Sequence, residues 1–415
     1  MFNILKIATR NLLRYQRRSL LTALLITIGI TAVLLFVSVS GSFKTLMVGQ
    51  ITDSMLGHLQ IHRKGYVASL DNLPLNLNMK PAAVAKVEQE LNKINGVEAW
   101  SPRIKFGAMF SNFTETTSIR LNAVDPAREI ATVPMIAQRV VQGSIARALV
   151  EPGKILVPEL IARGMKVKVG DTVVIVATNP DGAVNGMTFV VQGILEGISG
   201  PGGRDGYMNI NDARSLLRLT DDGVSEIAVR LKDPSMLHKV EGQLKATLGQ
   251  MTNQQGKPAF EIHDWTKLSP FSNIAEMIDM LTLFIKIMLV AIVLISIMNV
   301  MIMAVYERMR EIGTISAIGT LPGKVLSLFI AEGLLLAVAG TLIGITISLV
   351  AIYALNLFPL SFDFGRQTGL VLEPSIDSGE ILTIALLVIG VSVLASLQPA
   401  WKASRTDPIH ALRSV

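Results

Sequence analysis

The sequence predicts a membrane protein with four transmembrane α-helices and a large α+β extracytoplasmic domain, two-lobed and carried between spans one and two. Three observations lead there. Residues 20–39, 287–305 and 381–400 carry no charge, and residues 325–357 carry only Glu332. A bilayer core about 30 Å thick needs ~20 apolar residues as helix, so each stretch is long enough to cross. Half of the 415 residues are apolar and 17% are charged, which suits a membrane protein with a substantial soluble part. The spans are spaced one plus three, with roughly 240 mostly polar residues after the first, enough for a sizeable domain.

Residues 1–18 read as a cytoplasmic interfacial helix. Lys6, Arg10, Arg14 and Arg17 recur at helical spacing, with Phe2, Leu5 and Leu12 on another face. Such a stripe suits the anionic headgroups of membrane lipids, and it also serves as a plain topogenic flank. The first span (19–40) is longer than a signal-peptide core and reads as a retained anchor.

The basic residues set the orientation. Lys6 to Arg18 precede the first span, Arg308, Arg310 and Lys324 lie between the second and third, and Lys402, Arg405 and Arg413 follow the fourth. The loop between spans three and four has Arg366 against Asp363, Glu373 and Asp377. The positive-inside rule places both termini and the 306–324 segment in the cytoplasm and the large insertion outside. This distribution also accounts for the net charge of +6 without nucleic acid. With no cysteine, neither disulfides nor a thiolate metal site is available.

The insertion (41–280) alternates as α+β. Strands are expected at 118–124, 172–177 and 189–194, and helices at 80–95 and 233–248. Pro81 and Pro234 are each followed five residues later by Lys-Val-Glu, and Leu91 and Leu244 then match. Proline suits a first helical turn, so the spacing predicts two copies of a strand–helix unit. These form a porter-like lobe (41–124 and 226–280) flanking an inserted lobe (125–225), in which Gly200–Gly206 reads as a flexible loop. The second span follows (281–305), then a cytoplasmic helix (306–324), the third span (325–357), a short external loop (358–379), the fourth span (380–400) and a cytoplasmic tail (401–415).

Candidate sites are few. Glu307, Arg308, Arg310 and Glu311 form a dense mixed-charge cluster leading into an amphipathic turn, with Gly313 and Gly319 permitting a bend. The segment suits docking into a partner's cleft, or is a loop that only satisfies topology. Glu332 lies about two turns into the third span, where a carboxylate is a functional candidate. A structural contact is expected there rather than a proton relay, because no partner base is near in sequence. Asn299 is placed to hydrogen-bond across a helix interface, and Gly333, Gly340 and Gly344 allow close helix packing. His58 and His62 are four apart, but Leu59 stands where the His-Glu-x-x-His motif needs glutamate. Alternation with Leu59 and Ile61 reads as a strand with one polar face, so no metal is expected. Gly319-Thr320-Leu321-Pro322-Gly323-Lys324 is one residue short of a phosphate-binding loop, so no ATPase activity is expected in this chain.

The segments Glu307-Arg308-Met309-Arg310-Glu311-Ile312-Gly313 and Ala317-Ile318-Gly319 resemble the coupling region of the FtsX/MacB-like superfamily of ABC transporter permeases. Pro399 to Arg405 with Asp407 to Arg413 resemble its C-terminal pattern, and Arg10-Asn11-Leu12-Leu13-Arg14 its N-terminal one. Val157-Pro158, Gly170-Asp171-Thr172-Val173 and Trp265 to Pro270 resemble its extracytoplasmic core domain, and Gly57 to Tyr66 is similar to the lipoprotein-releasing (Lol) group. The resemblance implies a permease in the bacterial inner membrane that transmits motion from two copies of a separate ATPase, with ATP and Mg bound by that partner and no cofactor bound directly. It also implies a second permease chain, as homodimer or heterodimer, and a possible periplasmic carrier or adaptor. Lipoprotein or other lipidated cargo is expected. Tripartite efflux of small molecules or peptides, or FtsX-like transduction to a cell-wall hydrolase, are the alternatives. An acid near Glu332 is frequent in the superfamily, which implies a contact near the cytoplasmic interface.

Overall fold

The computed structural model describes residues 2–196, 201–252, 256, 258–358, 360–364 and 367–405. In chain order these form α1 (Phe2–Arg14), α2 (Gln16–Ile51), β1 (Leu59–Arg63), α3 (Pro81–Lys93), β2 (Val97–Ser111), β3 (Thr116–Val124), α4 (Pro126–Thr132) and β4 (Val140–Gly143). Next come β5 (Lys154–Pro158), α5 (Glu159–Gly164), β6 (Thr172–Thr178), β7 (Val184–Leu195), β8 (Asp205–Asn209), α6 (Ile210–Leu217), β9 (Glu226–Leu231), α7 (Leu237–Leu248), β10 (Phe260–Asp264) and α8 (Trp265–Leu268). The chain closes with α9 (Ser272–Glu307), α10 (Met309–Ala317), α11 (Pro322–Leu357), β11 (Leu360–Phe364), β12 (Gln367–Leu372) and α12 (Ser378–Ser404). Two compact units result: Met47–Ile274, and Met1–Leu46 with Ala275–Val415.

In the helical unit, α2, α9, α11 and α12 are each long and apolar enough to cross a membrane. They run beyond the apolar stretches expected at 19–40, 281–305, 325–357 and 380–400, because helix-compatible polar residues continue the backbone ladder past the hydrocarbon-length core. Close approach holds α2 against α11. A Cβ on Gly340 would come within 2.8 Å of Ile26, and one on Gly344 within 2.6 Å of Ile30. Thr27 and Thr31 donate to the carbonyls of Gly340 and Gly344 at 3.2 and 3.3 Å. Gly333 approaches Ser396 of α12. Small residues let these backbones meet where apolar lipid supplies no hydrophobic drive. Asn299 is exposed on α9 and joins none of these contacts within the chain. The loop expected at 358–379 contains the β11–β12 hairpin.

In the other unit, the two sequence-matched segments are crossover helices. The pairing order β10-β1-β9-β2 is antiparallel throughout, with α3 linking β1 to β2 and α7 linking β9 to β10. This is a split βαβ arrangement with internal symmetry. Pro81 stands in the first turn of α3, and Pro234 opens a short 3-10 turn ahead of α7. Val87 and Leu91, like their counterparts Val240 and Leu244, are at most 1% exposed. Burying each such side chain stabilises by about 1.5–3 kcal/mol.

The segment 125–225 is not a separate layer. Strand β2 pairs with β3, β3 with β8, β8 with β5, β5 with β7, β7 with β6, and β6 again with β2, which closes a six-stranded ring. Ile104, Phe106 and Phe110 of β2 alternate into a core shared with Val173, Ile175 and Phe189. The lobe boundary drawn at 124/125 thus falls inside one continuous sheet, because β2 is long enough to serve both halves. Of the loop expected at 200–206, Gly200 lies outside the described residues, while Asp205 and Gly206 belong to β8.

Where β2 meets β9 and β1, the polar phase is buried rather than solvated. Arg103 bridges Glu129 of α4 at 2.8 Å and Glu226 of β9 at 3.1 Å, and Lys105 adds a contact to Glu226 at 2.9 Å. His62 lies 3.5 Å from Glu226 and stacks on Tyr66 at 5.3 Å. His58 and His62 are both buried, so the polar strand face expected there is covered, and no group of three metal-ligating side chains occurs among the described residues. Burial pushes the Glu226 carboxyl up, but Lys105, His62 and Arg103 outweigh it and hold the group below its ordinary 4.5. A depressed carboxylate contributes fully above the unfolded value and is lost as pH falls below it. Thermal melts of the full chain should therefore show stability falling below about pH 4.5. Glu226→Gln should lower the melting temperature at pH 7 and flatten that acid limb; an unchanged limb would remove Glu226 as its source.

Candidate functional site: a charged knot beside the coupling turn

Helix α9 ends at Glu307, and α10 begins at Met309. Between them Arg308 adopts φ −106° and ψ 15°, outside the helical well, so the chain turns there. The expected 306–324 helix is thus shorter: α10 spans Met309–Ala317, and α11 starts at Pro322. Its C-terminal end is a Schellman-type turn. The Thr320 N–H reaches the Ile315 carbonyl and the Gly319 N–H the Ser316 carbonyl, with Gly319 at φ +99°. Gly319 therefore shapes a bend, as expected. Gly313 lies within α10 and does not; the other turn is made at Arg308.

The Arg308 side chain folds inward. Its Nη1 donates to both oxygens of Glu332 at 2.9 and 3.0 Å, and its Nε to Glu311 at 3.3 Å. The guanidinium sits over the rings of Tyr15 and Phe329 at 5.3 and 5.6 Å. Asn11 of α1 donates to Glu332 at 2.7 Å, and the Tyr15 hydroxyl donates to Glu311 at 2.9 Å. Arg308 is 7% and Glu332 4% exposed. Around them a cavity of about 20 Å³ is lined by Asn11, Tyr15, Arg18, Arg308 and Glu332, room for one water.

Burial opposes the charge on Arg308, but Glu332 and Glu311 hold its pKa above the ordinary value. Burial likewise pushes Glu311 up, yet the Tyr15 hydroxyl and Arg308 keep it low. Both groups are therefore charged at neutral pH, and the knot is a closed ionic network.

Two family models cover most of the chain: the MacB-like periplasmic core domain over residues 19–247 and the FtsX-like permease C-terminal over residues 283–408. The chain belongs to the FtsX-like permeases with a MacB-like periplasmic core domain. Lipoprotein-releasing system transmembrane protein LolC of Neisseria meningitidis is 24% identical over 404 residues, covering 94% of this chain and 92% of the relative. LolC of Xylella fastidiosa is 25% identical with full coverage of both chains. The macrolide export ATP-binding/permease protein MacB of Nitrobacter winogradskyi is 30% identical over 238 residues, covering 55% of this chain and 34% of that protein.

Within this permease, the residues singled out by sequence divide. Arg308 and Glu311 are engaged inside the chain. Glu307 accepts from Arg18 at 3.3 Å, and Arg310 is exposed. Lys6, Arg10, Arg14 and Arg17 remain exposed, with Arg14 reaching Glu311 at 3.7 Å. The opposite side of α1, with buried Ala8 and with Leu12, packs into the helical core. Sequence reasoning gave Asn11 and Tyr15 no role, and no spacing rule points from them to a carboxylate 321 residues away. Residues 406–415, which include the Asp407 to Arg413 half of the tail motif, lie outside the described residues.

Removing one partner of a buried ion pair typically costs about 3–5 kcal/mol, while replacing both with apolar side chains is often near neutral. Arg308→Met should therefore lower thermal stability by roughly that amount, and adding Glu332→Leu should restore most of it. A double-mutant cycle on the purified permease checks the coupling; strictly additive losses would contradict the knot.

Proposed function

We propose that this chain is the permease subunit of a mechanotransmitting ABC transporter, one that turns ATP hydrolysis by a separate ATPase into movement of a periplasmic domain. It resides in the bacterial inner membrane with both termini cytoplasmic, in keeping with its basic flanks. Two ATPase copies bind ATP and Mg, and a second permease chain completes the complex. The observation that carries this reading is the knot itself. By tying α1, the turn at Arg308 and α11 to one carboxylate, it stops α10 from swinging independently, so force on α10 is delivered to the membrane helices.

The docking surface on this reading is largely apolar. Ile318 is 81%, Leu321 65% and Ile315 41% exposed at the end of α10. Exposed apolar residues clustered on a cytoplasmic turn suit a protein partner. Glu307 and Arg310 then rim the contact, and Arg308 and Glu311 support it from within.

For cargo, the near-complete coverage of LolC relatives supports a lipoprotein or another lipidated molecule, handed to a periplasmic carrier. Tripartite efflux through an adaptor is the second reading, favoured by the higher identity to the macrolide exporter over a shorter stretch.

Ile315→Asp with Ile318→Asp should reduce permease-stimulated ATP turnover about tenfold or more, the loss of a contact worth roughly 1.4 kcal/mol, without shifting the permease's melting temperature. Undiminished stimulation would remove α10 as the docking element. Reconstituted with its ATPase, the permease should release an acylated lipoprotein from proteoliposomes and leave the same protein without acyl chains untouched.

A further inference from the structure

The Met47–Ile274 unit has a cleft of about 490 Å³ that lies outside every contact described above. Buried Ala162, Val167 and Ile194 form its floor, and Arg163, Lys166 and Lys168 stand exposed around it. Arg163 is neutralised by Glu159 at 2.5 Å. Lys166 and Lys168 have no acidic side-chain partner among the described residues, which leaves the cleft with a net positive rim. The Asp171 carboxylate accepts the Lys168 backbone N–H at 2.7 Å.

The loop carrying the lysines is held in place. The Met165 N–H donates to the Ile161 carbonyl and the Val167 N–H to the Ala162 carbonyl, at 2.8 and 2.9 Å. Lys166 takes φ +55°, a left-handed conformation rare for a lysine. The far wall is β4, through Gln142. Among the described strands β4 pairs with β7 alone, so it is a sheet edge. A sheet edge recognises extended chain through main-chain groups, while flanking side chains choose its charge.

We infer that this cleft is a docking site for an extended acidic segment of a partner protein. The apolar floor accepts alternate apolar side chains, and Lys166 and Lys168 meet the carboxylates between them. That the partner is extracytoplasmic rests on the function proposed above; the chemistry of the cleft does not.

The test uses the full-length chain in detergent and two fluorescein-labelled octapeptides, one alternating valine with aspartate and the other valine with lysine, read by fluorescence anisotropy. The acidic peptide should bind and the basic one should not. Lys166→Glu with Lys168→Glu should weaken binding of the acidic peptide about tenfold or more, Lys166→Gln with Lys168→Gln should weaken it less, and added salt should weaken it for the wild type. Equal binding of both peptides, or binding indifferent to the charge reversal, would overturn the proposal. So would lysine-dependent capture of phosphatidylglycerol vesicles with no binding of the acidic peptide, which would make the site a lipid-headgroup site. Permease-stimulated ATP hydrolysis, measured on the same variants, reports on the coupling reading and not on the cleft, so either can fail alone.

Discussion

A carboxylate held within the third span constrains everything around the turn between α9 and α10 of this permease. Glu332 is 4% exposed, and an uncompensated charge at that depth would cost several kcal/mol. Compensation comes from Arg308 and Asn11, which belong to segments far apart in the chain. The carboxylate therefore dictates geometry. Arg308 is also the residue at which α9 gives way to α10, so the side chain that neutralises Glu332 and the backbone that makes the turn are one residue. Any rotation of the turn pulls the guanidinium from its acid. A surface ion pair is worth at most about 1 kcal/mol and would not enforce this.

The other unit uses the same device. Arg103 donates to Glu226 of the symmetric βαβ half and to Glu129 of α4, which follows β3. Registered pairing sets Arg103 opposite Glu226, Glu226 opposite His62, and His62 opposite Glu261, so one row of polar side chains crosses four strands. In both units an arginine at a junction satisfies two acids from different segments. A bidentate, permanently charged guanidinium suits this better than lysine, whose point charge fixes no direction.

What was legible in the sequence follows from periodicity. The spans were visible because apolar length is a local property, and the two crossover helices because a proline and an apolar pair repeated at one spacing. The partnership of Glu332 was not, because its base is 24 residues distant and across a helix break. Nor was the burial of Arg103, Glu226 and His62. Their alternation with Ile104, Ile227 and Ile61 marks a two-faced strand, but nothing local says that the second face is also covered. The internal partners of the Glu307–Glu311 cluster were hidden for a related reason. Charge density shows that a segment needs polar partners, and Glu307, Arg308 and Glu311 find theirs within the chain.

Those internal partners shift the balance of the proposed coupling step. If Arg308 and Glu311 are spent inside, the partner contact rests on Ile315, Ile318 and Leu321, and its strength is less sensitive to salt than a charged interface would be. The knot then has a distinct task, to keep α10 stiff against the helices it must move. Helix α9 is unbroken from Ser272 to Glu307, so displacement at its Glu307 end meets no break within the helix. The glycines support the same view: Gly340 and Gly344 lock α11 to α2, and Gly333 brings it to α12. Asn299 is the exception among the residues expected at helix interfaces, exposed on α9 among the described residues. On the proposed reading it is free to hydrogen-bond across a helix interface with the second permease chain.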